Sequence, residues 1–208
     1  ENGLEPLAQL IEEQGKALLP LEQLAAMHLD EEKGIVTVED AWQGACDIVA
    51  ENISDSAEVR KLLRKELWNA GELVSELIID EKEAPEFLQY RDYSEPVRQL
   101  PPHRILALNR GEDKKALKIN LRCPDEKLIA KVAQKLNLKE QSPFYTYYHN
   151  ALTDSYKRLL LPSLERELRN ELTEKAEKQA ISVFAANLRQ LLLTQPISGH
   201  TVLGLDPG

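Results

Sequence analysis

One stretch constrains this chain more than any other. From Ser163 to about Leu193, apolar residues recur every three to five positions: Leu164, Leu168, Leu172, Ala176, Ala180, Val183, Leu188 and Leu191. That is the spacing of one face of an α-helix. At 1.5 Å per residue the helix is roughly 45 Å long, longer than a small domain is wide, so it links or braces neighbouring modules. Its spacing drifts too far for sustained heptads, which argues against an isolated coiled coil. The apolar stripe has to be covered along its length, because an uncovered one leaves a long exposed patch. Pro162 starts this helix anew or kinks one arriving from Phe144.

The remainder reads mostly as helices that could provide that cover. "LEPLAQLIEEQ" (4–14) puts Leu4, Leu7, Leu10 and Ile11 on one face before Gly15, and "LEQLAAMHL" (21–29) is a second short helix. Thr37 is placed to cap a helix whose first turn is acidic and whose apolar face is Ala41, Ala45, Ile48 and Val49. Another helix starts near Ser56 and carries Val59, Leu62, Leu63, Leu67 and, by spacing, Leu73. Residues 80–93 are polar with a proline and change the chain's direction. "LPPHRILALNRGE" has a Pro start and a Gly stop at Gly111. "ALKINLRC" (116–123) alternates Leu117, Ile119, Leu121 and Cys123 with Lys118, Asn120 and Arg122, the period of a half-buried strand. A helix from Asp125 to Leu136 follows. The fold class is therefore mainly α, with a long C-terminal helix and at most a small β element near 116–123.

Composition is that of an ordinary globular chain, 42% hydrophobic and 29% charged. No apolar run approaches the roughly 18 residues of a membrane span, and no basic-then-apolar leader opens the chain. Cys46 and Cys123 are far apart and fit a reduced, cytoplasmic setting. The net charge of −9 is divided unevenly: residues 1–92 hold 22 Asp+Glu against 8 Lys+Arg, and residues 93–208 hold 13 against 18. The division suggests an acidic helical subdomain (1–92), a mixed basic segment (93–140), a long-helix region (141–200) and a terminal strand (201–208). An acidic field repels phosphate, so contacts to nucleic acid belong in the second part.

The cations there are Arg98, Arg110, Lys114, Lys115 and Lys118, with Lys127, Lys131 and Lys135 four apart on one helix face. These eight are the candidate nucleic-acid contacts; the competing reading of the lysine stripe is a solvated polar face. Arg104, among Ile105, Leu106 and Leu108, is expected to brace carbonyls or carboxylates instead. In "SPFYTYYHN" (142–150) the aromatics could stack bases, but Phe144, Tyr147, Tyr148 and Leu152 match a buried helical stripe better. His28, His103, His149 and His200 share no ligand spacing, and structural or surface roles are expected. Glu12-Glu13 and Asp30-Glu31-Glu32 read as solvated helix surface. No phosphate loop, Gly-x-Ser-x-Gly, His-Glu-x-x-His or Cys-x-x-Cys occurs, so no cofactor and no catalysis by this chain are expected.

"YSEPVRQLPPHRILALNRGE" (93–112), "YKRLLLPSLERELRNELTEKAEKQAISVFAANLRQLLL" (156–193) and "VLGLDPG" (202–208) together resemble the bacterial transcription accessory proteins of the Tex family. The resemblance implies a cytoplasmic, multidomain, mostly helical protein with a helix-turn-helix-like part, acting with RNA or DNA and with RNA polymerase. It also implies that "VLGLDPG" is the first strand of a ribonuclease-H-like domain completed by sequence beyond Gly208, with OB-fold RNA binding further on. In nuclease relatives of that fold the carboxylate matching Asp206 binds metal. One carboxylate cannot hold Mg²⁺ for phosphoryl chemistry, so Asp206 is expected to be inert here. The functions implied are a helical scaffold or nucleic-acid-binding module, or alternatively a piece of a metal-dependent nuclease or a docking module for RNA polymerase.

Overall fold

The computed structural model describes residues 3–195, 198–199 and 201–206. Four helices come first: α1 (Glu5–Glu13), α2 (Leu21–Ala26), α3 (Val38–Asp55) and α4 (Ala57–Ala70). Strand β1 (Glu72–Leu77) leads through a 3₁₀ turn at Pro85–Tyr90 into β2 (Asp92–Pro96). Helix α5 (Pro102–Asp113), strand β3 (Leu117–Arg122) and helices α6 (Asp125–Lys135), α7 (Tyr145–Asp154) and α8 (Leu161–Leu192) complete the chain. The helix starts follow the expected chemistry. Thr37 Oγ1 accepts from Asp40 N at 3.1 Å while Thr37 N donates to Asp40 Oδ2 at 2.9 Å, a reciprocal capping box.

The long helix is present, and it does begin at Pro162's turn. Between α7 and α8 the backbone passes through a π-helical segment, Ser155–Leu160. Pro162 lacks an N–H and its ring crowds the preceding turn, so widening that turn lets the chain continue as a helix. Leu164, Leu168, Leu172 and Ala176 are buried as the stripe predicts. Ala180, Val183, Leu188 and Leu191 are exposed, contrary to that prediction.

The element near 116–123 is β3, and it has partners that the sequence reading did not supply. The sheet has the order β2-β1-β3, antiparallel throughout. On its core face Leu73 pairs with Leu121, Ser75 with Ile119 and Leu77 with Leu117. Leu73 therefore lies on a strand rather than on the helix before it. Helix α4 stops at Ala70, where Gly71 packs so tightly that a Cβ there would come within 2.4 Å of the Leu67 carbonyl oxygen. Gly111 does not end α5, which runs on to Asp113. It is glycine because Leu117 Cδ1 would meet a Cβ at 2.4 Å.

Buried side chains from Leu4 to Ala176 join one apolar cluster. Phe144, Tyr148 and Leu152 are core, as the helical reading of 142–150 expects, and Tyr147 stacks on Trp42 with ring centroids 4.4 Å apart. Residues 201–206 are exposed and form no strand. A strand is stable only when a neighbour takes up its backbone donors and acceptors, and none of the described strands lies beside it. His200 and Pro207–Gly208 fall outside the described residues. No helix among the described residues is long and apolar enough to cross a membrane.

Candidate nucleic-acid interface

The eight cations singled out from the sequence are spread over four elements. Arg98 sits on the turn before α5, Arg110 on α5, Lys118 on the exposed face of β3 and Lys127 on α6. Lys115 follows α5 in a left-handed conformation at φ 55°. Intramolecular acids hold three of them. Lys114 Nζ reaches Glu86 at 2.9 Å, while Lys131 and Lys135 reach Glu66 and Glu58 of α4, both at 2.6 Å. The hydrogen bonds from Lys135 and Lys114 hold the Glu58 and Glu86 carboxyls below their usual range. Among the described residues, no hydrogen bond or ion pair engages the side chains of Arg98, Arg110, Lys115, Lys118 or Lys127. The lysine stripe of α6 is thus divided: two of its members tie α6 to α4 and Lys127 faces solvent.

Arg104 takes the bracing role expected of it. Its Nη1 donates to Glu95 Oε2 at 2.9 Å and to Tyr93 Oη at 3.1 Å, and the guanidinium lies over the Tyr93 ring. Burial, then the hydrogen bond to Glu95, pushes the Tyr93 phenol up to about 12. Arg110 lines the cleft between α5 and α8 with Arg166 and Arg169. Arg169 is held there by Glu112.

A stronger concentration of positive charge lies where the sequence division placed an acidic field. On α4, Lys61, Arg64, Lys65 and Trp68 fall at i, i+3, i+4 and i+7, which is one helix face. They line a groove of about 430 Å³ against Leu168, Glu171 and Lys175 of α8. Lys175 Nζ stands 4.9 Å from the centre of the Trp68 ring. Glu171 accepts from Lys175 at 2.7 Å and Arg64 at 2.6 Å, and those two bonds lower its pKa. Four cations therefore surround one carboxylate. Lys61 and Lys65 have no ion pair among the described residues. The helical spacing of these residues was visible in the sequence; averaging charge over 1–92 concealed it.

Neither thiol is poised as a nucleophile. Burial pushes the Cys46 and Cys123 thiols up to about 11, the opposite of what a thiolate nucleophile needs. The Tyr156 phenol is also raised, first by burial, and donates to Asp125 Oδ1 at 2.7 Å. Among the described residues, no three His, Cys, Asp or Glu side chains are grouped to hold a metal ion. Asp30, in the run read as surface, accepts from Glu32 N at 3.1 Å and Lys33 N at 3.3 Å and caps a turn.

The family described as Tex central region-like matches residues 17–184. The chain belongs to that family. A Bacillus subtilis protein named YdcI is 40% identical over 99% of this chain and 29% of its own length. The transcriptional accessory protein Tex of Neisseria gonorrhoeae is 36% identical over all of this chain and 28% of its own length. The human S1 RNA-binding domain-containing protein 1 is 34% identical over 85% of this chain and 19% of its own length. The Tex-family chain thus spans less than a third of the curated relatives it matches.

Proposed function

We propose that this chain is a helical scaffold module of a Tex-like transcription accessory factor, acting in the cytoplasm, that adds backbone contacts to a larger nucleic-acid complex. The observation that carries the reading is the α4–α8 groove, in which four cations surround Trp68 and a single carboxylate. Cations neutralise phosphates, and an indole face accepts a base without regard to sequence. Single-stranded RNA or DNA fits that combination better than a duplex, whose bases are already stacked. Arg98, Arg110, Lys115, Lys118 and Lys127 add positive charge on neighbouring elements, and Lys114, Lys131 and Lys135 stay committed to their acids. The chemistry of the chain in this reading is binding, and turnover of RNA or DNA belongs to other parts of the factor. The long helix sets the spacing of whatever it joins, RNA polymerase contacts included.

The isolated chain should bind a fluorescent 12-nucleotide single strand with a dissociation constant of roughly 10 μM or more at physiological salt. Lys61→Glu/Lys65→Glu should weaken it at least tenfold and flatten the salt dependence, whose slope is about −0.7 per neutralised phosphate. Lys114→Glu/Lys115→Glu should have the smaller effect. Anisotropy titrations at two salt concentrations decide the matter. Binding that is indifferent to the Lys61/Lys65 change removes the groove from the reading.

A further inference from the structure

A second cavity, on the acidic side of the molecule, has the opposite character. It measures about 560 Å³ and lies between α2, α3 and α7. Glu22, Glu39, Trp42, Asp47, Tyr147 and Asp154 are among the residues lining it. Tyr147 and Trp42 form a parallel aromatic stack. Trp42 is only 4% exposed, and its indole Nε1 is a buried donor without a hydrogen-bond partner among the described residues. Leaving such a group unmatched is unfavourable, so an acceptor brought within reach by a small shift of the ring would be stabilised there.

The carboxylates already bind one guanidinium. Arg158 holds Asp154 through contacts of 2.6, 3.0 and 3.1 Å and lies 3.9 Å from Asp47. That leaves Glu22 and Glu39, whose carboxylates have no hydrogen bond or ion pair among the described residues. Their charge is felt inside the cavity: the Tyr147 phenol is raised first by burial, and the Glu39 and Glu22 carboxylates are among the further causes.

We propose that this cavity is a docking site for an arginine side chain of a partner protein. The guanidinium meets the Glu22 and Glu39 carboxylates and lies against the Tyr147 ring, and a small shift of the Trp42 ring lets a backbone carbonyl of the same segment accept from Nε1. Guanidinium suits the site better than ammonium because it is planar, stacks on aromatic faces and donates to two carboxylates at once. The charge at the cavity itself, Glu22, Glu39, Asp47 and Asp154 against the single Arg158 that pairs with the last two, steers a basic segment to this side. The proposal is independent of the α4–α8 groove.

The chain has only two tryptophans, so ¹⁵N-tryptophan labelling gives two indole N–H signals, assigned with Trp68→Phe. The probes are a short blocked peptide with one central arginine and its lysine and citrulline counterparts. The arginine peptide should shift the Trp42 signal downfield and saturate, with at least tenfold weaker binding by the lysine peptide and none by the citrulline one. Glu22→Gln/Glu39→Gln should weaken the arginine peptide at least tenfold, and Glu31→Gln/Glu32→Gln, an acidic pair outside the cavity, should not. An equal response to citrulline or lysine, or equal loss from both glutamine pairs, overturns the proposal. Chemical shifts of the remaining resonances report whether each variant is folded.

Discussion

The two halves of α8 carry the same kind of apolar spacing and meet opposite surroundings. From Leu161 to Ala176 the stripe is buried between α4 and α5, which are also pinned to it by polar contacts. Asn109 Nδ2 donates to Thr173 Oγ1 at 2.8 Å, Arg169 pairs with Glu112, and Arg60 reaches Ser163 at 3.0 Å. From Glu177 onward the helix runs past its neighbours. Helix α5 has 12 residues and α8 has 32, about 18 Å against 48 Å. The last contacts come from Pro102, His103 and Leu106 at the start of α5, which form a shallow groove with Ala180, Val183 and Phe184. Periodicity identifies the face that a helix can bury. How much of that face is covered depends on the length of the neighbours, which periodicity does not report.

The comparison is broken most directly by truncating one side chain in each half. Leu168→Ala removes a side chain that is 4% exposed and should destabilise the protein by about 2–5 kcal/mol. Phe184→Ala, at a position 66% exposed, should change stability by no more than about 0.5 kcal/mol. Urea unfolding of both variants gives the two numbers. Equal losses would mean that the distal half is covered in solution.

Gly111→Ala tests how closely α5 and the sheet fit beside the buried half. The added methyl would lie 2.4 Å from Leu117 Cδ1 and 3.2 Å from Phe87 Cδ1. Overpacking of this kind destabilises by about 1–3 kcal/mol. The result matters because alanine is otherwise the better helix former by about 1 kcal/mol. A stabilised variant would mean that Gly111 marks a weak helix end, as its sequence context first suggests.

What was legible in the sequence follows from the range of each interaction. Helix caps, the Pro162 discontinuity and the core stripe of Phe144, Tyr148 and Leu152 depend on residues a few positions apart, and the bracing role of Arg104 on partners 9 and 11 positions away. Strand β3 was visible because its alternation is strict. Strand β1, "ELVSEL", was not: Leu73, Val74 and Leu77 also fit a helical face continuing from Leu67, and only Gly71 interrupts it. Strand β2 is five residues long and ends on Pro96, with no alternation to read. The candidate site was the least legible part. Whether a lysine is available depends on acids 28 to 77 positions away, as with Lys114 and Glu86 or Lys135 and Glu58. The α4–α8 groove was legible as a spacing of Lys61, Arg64, Lys65 and Trp68, and was obscured by counting charge over whole segments.

A smaller effect separates the buried polar contacts from the exposed ones. Tyr156→Phe removes the donor to Asp125 Oδ1 and should destabilise by about 0.5–1.5 kcal/mol. Lys178→Ala breaks an exposed i, i+4 pair with Glu174 on the distal half of α8 and should change stability by about 0.5 kcal/mol or less. Thermal or urea melts of the two variants resolve the difference, and a larger loss from Lys178→Ala would reverse the ranking.

The smallest expected effect concerns one carboxylate of the buried half. Glu165 Oε1 accepts from Leu121 N at 3.0 Å and so ties α8 to β3. Burial raises its pKa, more than the Leu121 N–H and Arg169 lower it. A raised carboxyl binds its proton more readily in the folded state. Its contribution to stability is therefore full below the unfolded pKa and declines as pH rises through the folded value. Glu171, nearly two helical turns further on, is lowered by Lys175 and Arg64 and acts in the opposite sense, its contribution being lost as pH falls. Glu165→Gln keeps an oxygen that can accept from Leu121 and removes the buried charge. The variant should match or slightly exceed the parent's stability at pH 7, with the difference fading towards pH 4. Urea melts at pH 4, 5.5 and 7 test this. A loss greater than about 1 kcal/mol at pH 7 would mean that the ionised carboxylate, and not the hydrogen bond alone, holds β3 against the long helix.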